Sequence, residues 1–241
     1  MKKILIVLSL LIATFALSAQ NINANFEVDE EGWTSHFRGY QDGCLEEDEL
    51  CIIWSKLIPP MGDRGGISFS GKNYSNQLFL YIQKEVGELL PNTTYNITFN
   101  TSWVSQLGSN PAPTFVKVAV LNEEPFPVYE DLIKPSFDKG PIGQNSRDFN
   151  VIGRFSANPS GYPTQDDFHN LQNVYTGTTN LNGRLFLIIG VEPQYGHVSN
   201  IFLNTLRVVL TAAETVQPAE PAEPSSQPES TEAPQEASTP Q

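Results

Sequence analysis

The sequence predicts an all-β protein, an antiparallel sandwich or barrel, on three observations. Apolar residues recur with period two through most of residues 20–211. Clusters rich in Pro and Gly ("PPMGDRGG", "GSNPAP", "EEPFPV", "NPSGYPTQ") divide the chain into short segments. No window of a dozen residues carries a helical stripe free of such breakers, and only "VYEDLIKP" suits a turn or two of helix.

In chain order, residues 1–19 read as a secretory signal peptide. Lys2 and Lys3 precede an apolar run from Ile4 to Leu17, and small residues lead to a cleavage point after Ala19. The run is shorter than the roughly 20 apolar residues that span a bilayer. No cysteine stands at the cleavage point, which argues against a lipoprotein anchor. The expected location is therefore secreted, periplasmic or extracellular, with no membrane span.

Residues 20–211 make one domain with enough chain for a sizeable core. In "TTYNITFNTSW", Tyr95, Ile97 and Phe99 point one way while Thr94, Asn96, Thr98 and Asn100 point the other, the signature of a half-buried strand. The same alternation predicts strands over 76–84, 114–121, 148–155, 182–191 and 200–210. Trp33 and Trp54, flanked by strand-like sequence, read as core. Residues 212–241 collapse into Pro, Glu, Ser, Thr, Gln and Ala, a composition that cannot offset its ordering entropy and predicts a disordered tail.

Cys44 and Cys51 are the only cysteines and enclose six residues, four of them acidic. In an oxidising compartment such a pair forms a disulfide, expected here to staple a hairpin between early strands with Glu46, Glu47, Asp48 and Glu49 at a solvated tip. A calcium site on that acidic tip is the competing reading.

The 14 basic against 27 acidic residues argue against nucleic acid and anionic lipid as partners. Catalytic signatures are missing: His36, His169 and His197 stand far apart, and "GGISFSG" lacks the final glycine of a nucleophile elbow. Carboxylate pairs such as Asp166 and Asp167 or Glu123 and Glu124 keep glycoside hydrolysis open, because that chemistry needs two acids placed by the fold. Four Asn-x-Ser/Thr sequons, at Asn73, Asn92, Asn96 and Asn100, are glycan acceptors only in a host that glycosylates.

Three stretches together resemble the galactose-binding-like jelly rolls of secreted carbohydrate-binding modules. "NANFEVDEEGW" resembles their opening strand, "ELLPNTTYNITFNTSW" their "Leu-x-Pro-x-Thr-Tyr" strand, and "IFLNTLRVVL" the closing strand that pairs back on the first. The resemblance implies a jelly-roll sandwich and a structural calcium between first and closing strands, for which the matching positions are Glu27 and Asn204. Asn204 stands where the family often has Asp, which weakens the site; the alternative is a satisfied edge carboxylate and an outward polar residue.

Sugar rings stack on aromatic side chains while amides and carboxylates take their hydroxyls. Tyr162 and Tyr195 lie in polar loops where core packing does not explain an aromatic, with Asp166, Asp167 and His197 as hydrogen-bonding neighbours. The expected function is a secreted, non-catalytic module binding glycan or polysaccharide. The alternative is an extracellular structural or adhesive sandwich that holds a protein partner.

Overall fold

The computed structural model describes residues 19–39, 50–56, 64–105, 113–125, 137–156 and 168–213. The predicted signal peptide, Cys44 with its acidic neighbours, the "VYEDLIKP" segment and nearly all of the tail lie outside them.

Two antiparallel sheets form a sandwich. One holds β3 (Leu50–Lys56), β4 (Gly65–Lys72), β11 (Val198–Ala212), β6 (Thr94–Ser105) and β9 (His169–Thr178) in that order, with β1 (Gln20–Ala24) also paired to β11. The other runs β2 (Thr34–Arg38), β5 (Phe79–Val86), β10 (Leu185–Pro193), β7 (Thr114–Leu121), β8 (Phe149–Phe155). The closing strand does pair back on the first, Gln20 opposite Leu210 through Ala24 opposite Leu206.

Long β11 serves two neighbours on one edge: β4 along Val198–Leu203 and β1 along Leu206–Leu210. The register slips between Leu203 and Thr205, a bulge that turns Asn204 inward at the junction. Gly65 and Gly66 lie against this junction, where a Cβ would overlap the Phe26 carbonyl at the first and the Phe202 ring at the second. Close backbone packing is thus the reason for "GGISFSG", and the stretch is strand β4.

The core between the sheets takes Ile97, Phe99 and Trp103 of β6 against Leu187 and Ile189 of β10, among others. β6 alternates inward and outward as expected. Trp33 is buried, and Trp54 packs on the core while its indole N–H donates to the Phe26 carbonyl at 2.6 Å.

A second apolar layer covers the outer face of the β2–β8 sheet. Phe79, Tyr81 and Ile188 from that face meet Phe137 and Phe149, with Phe79 and Phe149 ring centroids 5.1 Å apart, edge to face. β10 is therefore buried on both sides, which explains its unbroken apolar run.

One expectation is corrected. β2 and β3 belong to different sheets and do not pair with each other as the expected hairpin requires. Cys51 is half-buried in edge strand β3, its thiol free and pushed up in pKa by burial, while Cys44 lies outside the described residues. If the two pair, the mature protein will titrate with no free thiol under oxidising conditions, and Cys44→Ser will lose about 2 kcal/mol of stability. A full count of two thiols in the oxidised native protein rules the staple out.

Candidate functional site

One end of the sandwich is built on a buried side chain. Asn73 follows β4, is fully buried, and donates from Nδ2 to the Pro193 carbonyl at 2.7 Å while Oδ1 accepts from Leu78 N–H. Its backbone N–H donates to the His197 carbonyl, and its carbonyl accepts from Gly196 N–H at 2.7 Å. One residue thereby ties the turn from Lys72 to Leu78 to the turn between β10 and β11. Gly196 takes φ of 76° in that second turn, and Asn76 in the first takes 62°, a value asparagine tolerates. Burial of Asn73 also removes it as a glycan acceptor in the folded protein.

The wall beside these turns is the segment Phe137–Arg147, held down by buried charge. Glu192 of β10 and Lys117 of β7 are both fully buried, with Nζ and Oε2 2.8 Å apart. Lys139 reaches Glu192 Oε1 at 2.5 Å. Lys117 also donates to the carbonyls of Lys139 and Pro141, and Gly143 N–H donates to Glu192 Oε2. Burial pushes the Lys117 ammonium below the usual lysine range, and the Glu192 carboxylate pulls it back. At the far end of the segment, the Arg147 guanidinium holds the Asp148 carboxyl below its ordinary value, and Asp148 accepts from Asp138 N–H at 2.6 Å.

Turns and wall enclose two adjoining cavities that share Asn76 and Ile142. The larger, about 660 Å³, runs between Arg38, Gln77, Phe137, Asp138 and Lys139. The smaller, about 410 Å³, is lined by Phe115, Arg154, Gln194 and Tyr195. Tyr195 is 59% exposed, so its ring face is free for a ligand. A third cavity of about 380 Å³ on the outer face of the other sheet, beside Asn100, Gln172 and Arg207, has no aromatic lining residue.

Of the residues the sequence singled out, Tyr195 lies in this cleft. His197 is half-buried two residues on; its backbone helps close the turn, while its Nδ1 is buried without a partner. Tyr162, Asp166 and Asp167 lie outside the described residues. Glu123 and Glu124 are exposed loop residues. Among the described residues, the two cavities are lined by one carboxylate, Asp138, whose Oδ1 accepts from Gly140 N–H.

Sequence reasoning missed Asn76, Phe115, Phe137, Arg38 and Arg154. Each stands in a strand or turn that looks ordinary locally. The one available signal was the polar turn "NYSNQ", read only as a sequon.

Glu27 and Asn204 do converge, both on Gly65, but the donor set does not fit calcium. Asn204 directs its amide Nδ2 at the Gly65 carbonyl, 3.0 Å away, so an N–H fills the place a cation would take. The Phe26 carbonyl is already bonded to Trp54, and Glu27 is an exposed carboxylate 3.4 Å from Gly65 N–H. Among the described residues, no three His, Cys, Asp or Glu side chains stand together as a metal site. The junction is closed by hydrogen bonds from Asn204 and Trp54 to backbone carbonyls and from Gly65 N–H to the Glu27 carboxylate.

Among the described residues, no helix is long and apolar enough to cross a membrane. No family model matches the sequence, and no curated protein matches it. Solved structures do match in strand arrangement. The CBM22-1 xylan-binding domain of Paenibacillus barcinonensis Xyn10C aligns at 13% identity and a TM-score of 0.41, over 80% of this chain and 95% of its own. The xylan-binding module CBM15 aligns at 11% identity and a TM-score of 0.41, over 80% and 97%. The Spr0440 glycoside hydrolase domain, Endo-D, of Streptococcus pneumoniae R6 aligns at 9% identity and a TM-score of 0.39, over 78% of this chain and 27% of its own. Likeness this slight assigns neither family nor ligand; by its own strand pairing the chain is an antiparallel β-sandwich, with a cleft at one end.

Proposed function

We propose that the domain is a non-catalytic binding module that holds a saccharide in the cleft between Phe137 and Tyr195. One observation carries this reading: an exposed tyrosine ring stands in a concave site that also presents the side-chain amides of Asn76, Gln77 and Gln194. A pyranose ring presents C–H groups that pack on an aromatic face, and each amide offers both a donor and an acceptor to neighbouring hydroxyls. Turns pinned through Asn73 and a wall pinned through Glu192 keep the site preformed, so little ordering opposes binding.

Hydrolysis is a poorer fit to this cleft. Glycoside cleavage uses two carboxylates across the scissile bond, and among the described residues the lining supplies one. Docking of a protein partner is supported less well, because among the described residues the exposed Val28, Ile53 and Val174 sit on separate elements and just Leu90 and Leu181 share neighbouring turns. Export, with cleavage after Ala19, belongs to the same reading and is checked by N-terminal sequencing of the mature protein.

The test is retention of the purified protein on a panel of neutral and acidic polysaccharides. Tyr195→Ala is expected to weaken retention roughly tenfold, the loss of about 1.4 kcal/mol of stacking. Unchanged retention in that variant removes the cleft as the site. No retention on any polymer by the unaltered protein ends the saccharide reading.

A further inference from the structure

The chain is acidic, 14 basic against 27 acidic residues, yet among the described residues the cleft is lined by Arg38, Lys139, Arg147 and Arg154 against a single carboxylate, Asp138. Two of these cations are neutralised where they stand, Lys139 by Glu192 and Arg147 by Asp148. Arg38 donates to the Phe137 carbonyl at 2.6 Å and lies over the Phe137 ring. Arg154 differs. It lies opposite Phe115 in the β7–β8 register, its guanidinium 6.0 Å above the Phe115 ring centroid, and no carboxylate among the described residues pairs with it.

Its neighbours explain why this matters. Arg154 shares the smaller cavity with Tyr195, Gln194 and Asn76. The Phe115 ring lies at the outer range of a cation–π contact with the guanidinium, and no hydrogen bond among the described residues takes the guanidinium N–H groups. Such a fork matches the paired oxygens of a carboxylate or sulfate and fits no neutral hydroxyl as well. The net negative charge of the whole chain does not forbid an anion here, because charges more than about 8–10 Å away are largely screened at physiological ionic strength.

We infer that the saccharide taken by this cleft is acidic: its ring packs on Tyr195, and an oxyanion group on the ring, a uronate carboxylate or a sulfate ester, is held by Arg154. The inference rests on the saccharide reading above and adds the charge class of the ligand.

The experiment compares three polymers, polygalacturonate, a sulfated galactan and a neutral galactan, by affinity electrophoresis of the mature protein and its Arg154→Gln, Arg154→Lys and Tyr195→Ala variants. At least one acidic polymer is expected to bind about tenfold more tightly than the neutral one. Arg154→Gln is expected to bring the acidic-to-neutral ratio close to one. Arg154→Lys keeps the charge without the fork and is expected to restore only part of the ratio. Preference for polygalacturonate identifies the carboxylate as the recognised group, and preference for the sulfated polymer identifies the sulfate. Equal binding of neutral and acidic polymers, or a ratio that survives Arg154→Gln, overturns the acidic-ligand inference while leaving the saccharide reading standing. Failure of all three polymers to bind, with a neutral polymer retained on the wider panel above, overturns the acidic-ligand inference alone, and failure on that whole panel overturns both.

Discussion

Glu192→Ala is expected to destabilise the protein by about 3–5 kcal/mol, the usual cost of removing one partner from a buried ion pair. Its carboxylate serves Lys117, Lys139 and the Gly143 N–H at once, and Lys117 has no exposed surface through which to recover water. For a domain of this size the loss corresponds to a fall in Tm on the order of 10 °C. The deficit should also depend on pH. Without Glu192, nothing equivalent opposes the burial that already lowers the Lys117 pKa. Folding then disfavours a proton that the unfolded chain keeps up to the ordinary lysine range. The unfolded state binds more protons between the lowered pKa and that range, so stability rises with pH there. Urea denaturation at pH 7 and pH 9.5 is expected to show a smaller deficit at the higher pH. The control is Lys117→Met, Lys139→Met and Glu192→Leu together. Removing all three charges is expected to recover part of that loss, because the desolvation penalties disappear with the attraction while the Gly143 N–H and the Lys139 and Pro141 carbonyls lose their partners. If Glu192→Ala costs less than about 1 kcal/mol, the range of an exposed pair, the triad does not hold the wall.

The second large effect is expected at Asn73. Replacement by Ala removes the bond to the Pro193 carbonyl and the acceptor for Leu78 N–H, and leaves both groups inside a site without exposed surface. At about 1–3 kcal/mol for each stranded group, less whatever relaxation recovers, a total near 2–4 kcal/mol is expected. The position has a second consequence, since both turns it joins carry cleft residues: Asn76 on one, Gln194 and Tyr195 on the other. Saccharide binding should weaken even at temperatures where the variant is fully folded. Chemical denaturation gives the first number, and affinity electrophoresis at a temperature well below the variant's Tm gives the second. Normal binding by a destabilised Asn73→Ala would show that the turns keep their relative position without it.

The strands that sequence periodicity predicted share one property: each has a face committed to the core. β6 shows it in Tyr95, Ile97 and Phe99, and β7 coincides with the predicted 114–121. β2, β4 and β9 were not predicted, for separate reasons. β2 has only five residues. β4 is glycine- and serine-rich because another backbone and the Phe202 ring press on it. β9 is a polar edge strand whose Val174 faces outward. The polar residues that matter most were legible only as ordinary outward positions. Lys117 in "TFVKVAVL" looks like a solvated lysine on a half-buried strand, and Glu192 looks like a strand-end acid. A segment more than 20 residues along the chain from Lys117 folds over both and makes them a buried pair.

By itself the sequence determined the class of fold, the turns and one cleft aromatic, Tyr195. Each follows from local chemistry: period-two burial, Pro and Gly geometry, and an aromatic with no core to fill in a polar turn. Only the tertiary structure decided which strands share a sheet, so that β2 and β3 fall in different sheets and Asn204 donates to the Gly65 carbonyl. It also decided that Arg154, Phe115, Asn76 and Tyr195 surround one cavity. Periodicity reports which face of a strand is buried and says nothing about what buries it, and the partners in this cleft come from four segments that meet only when the sandwich closes.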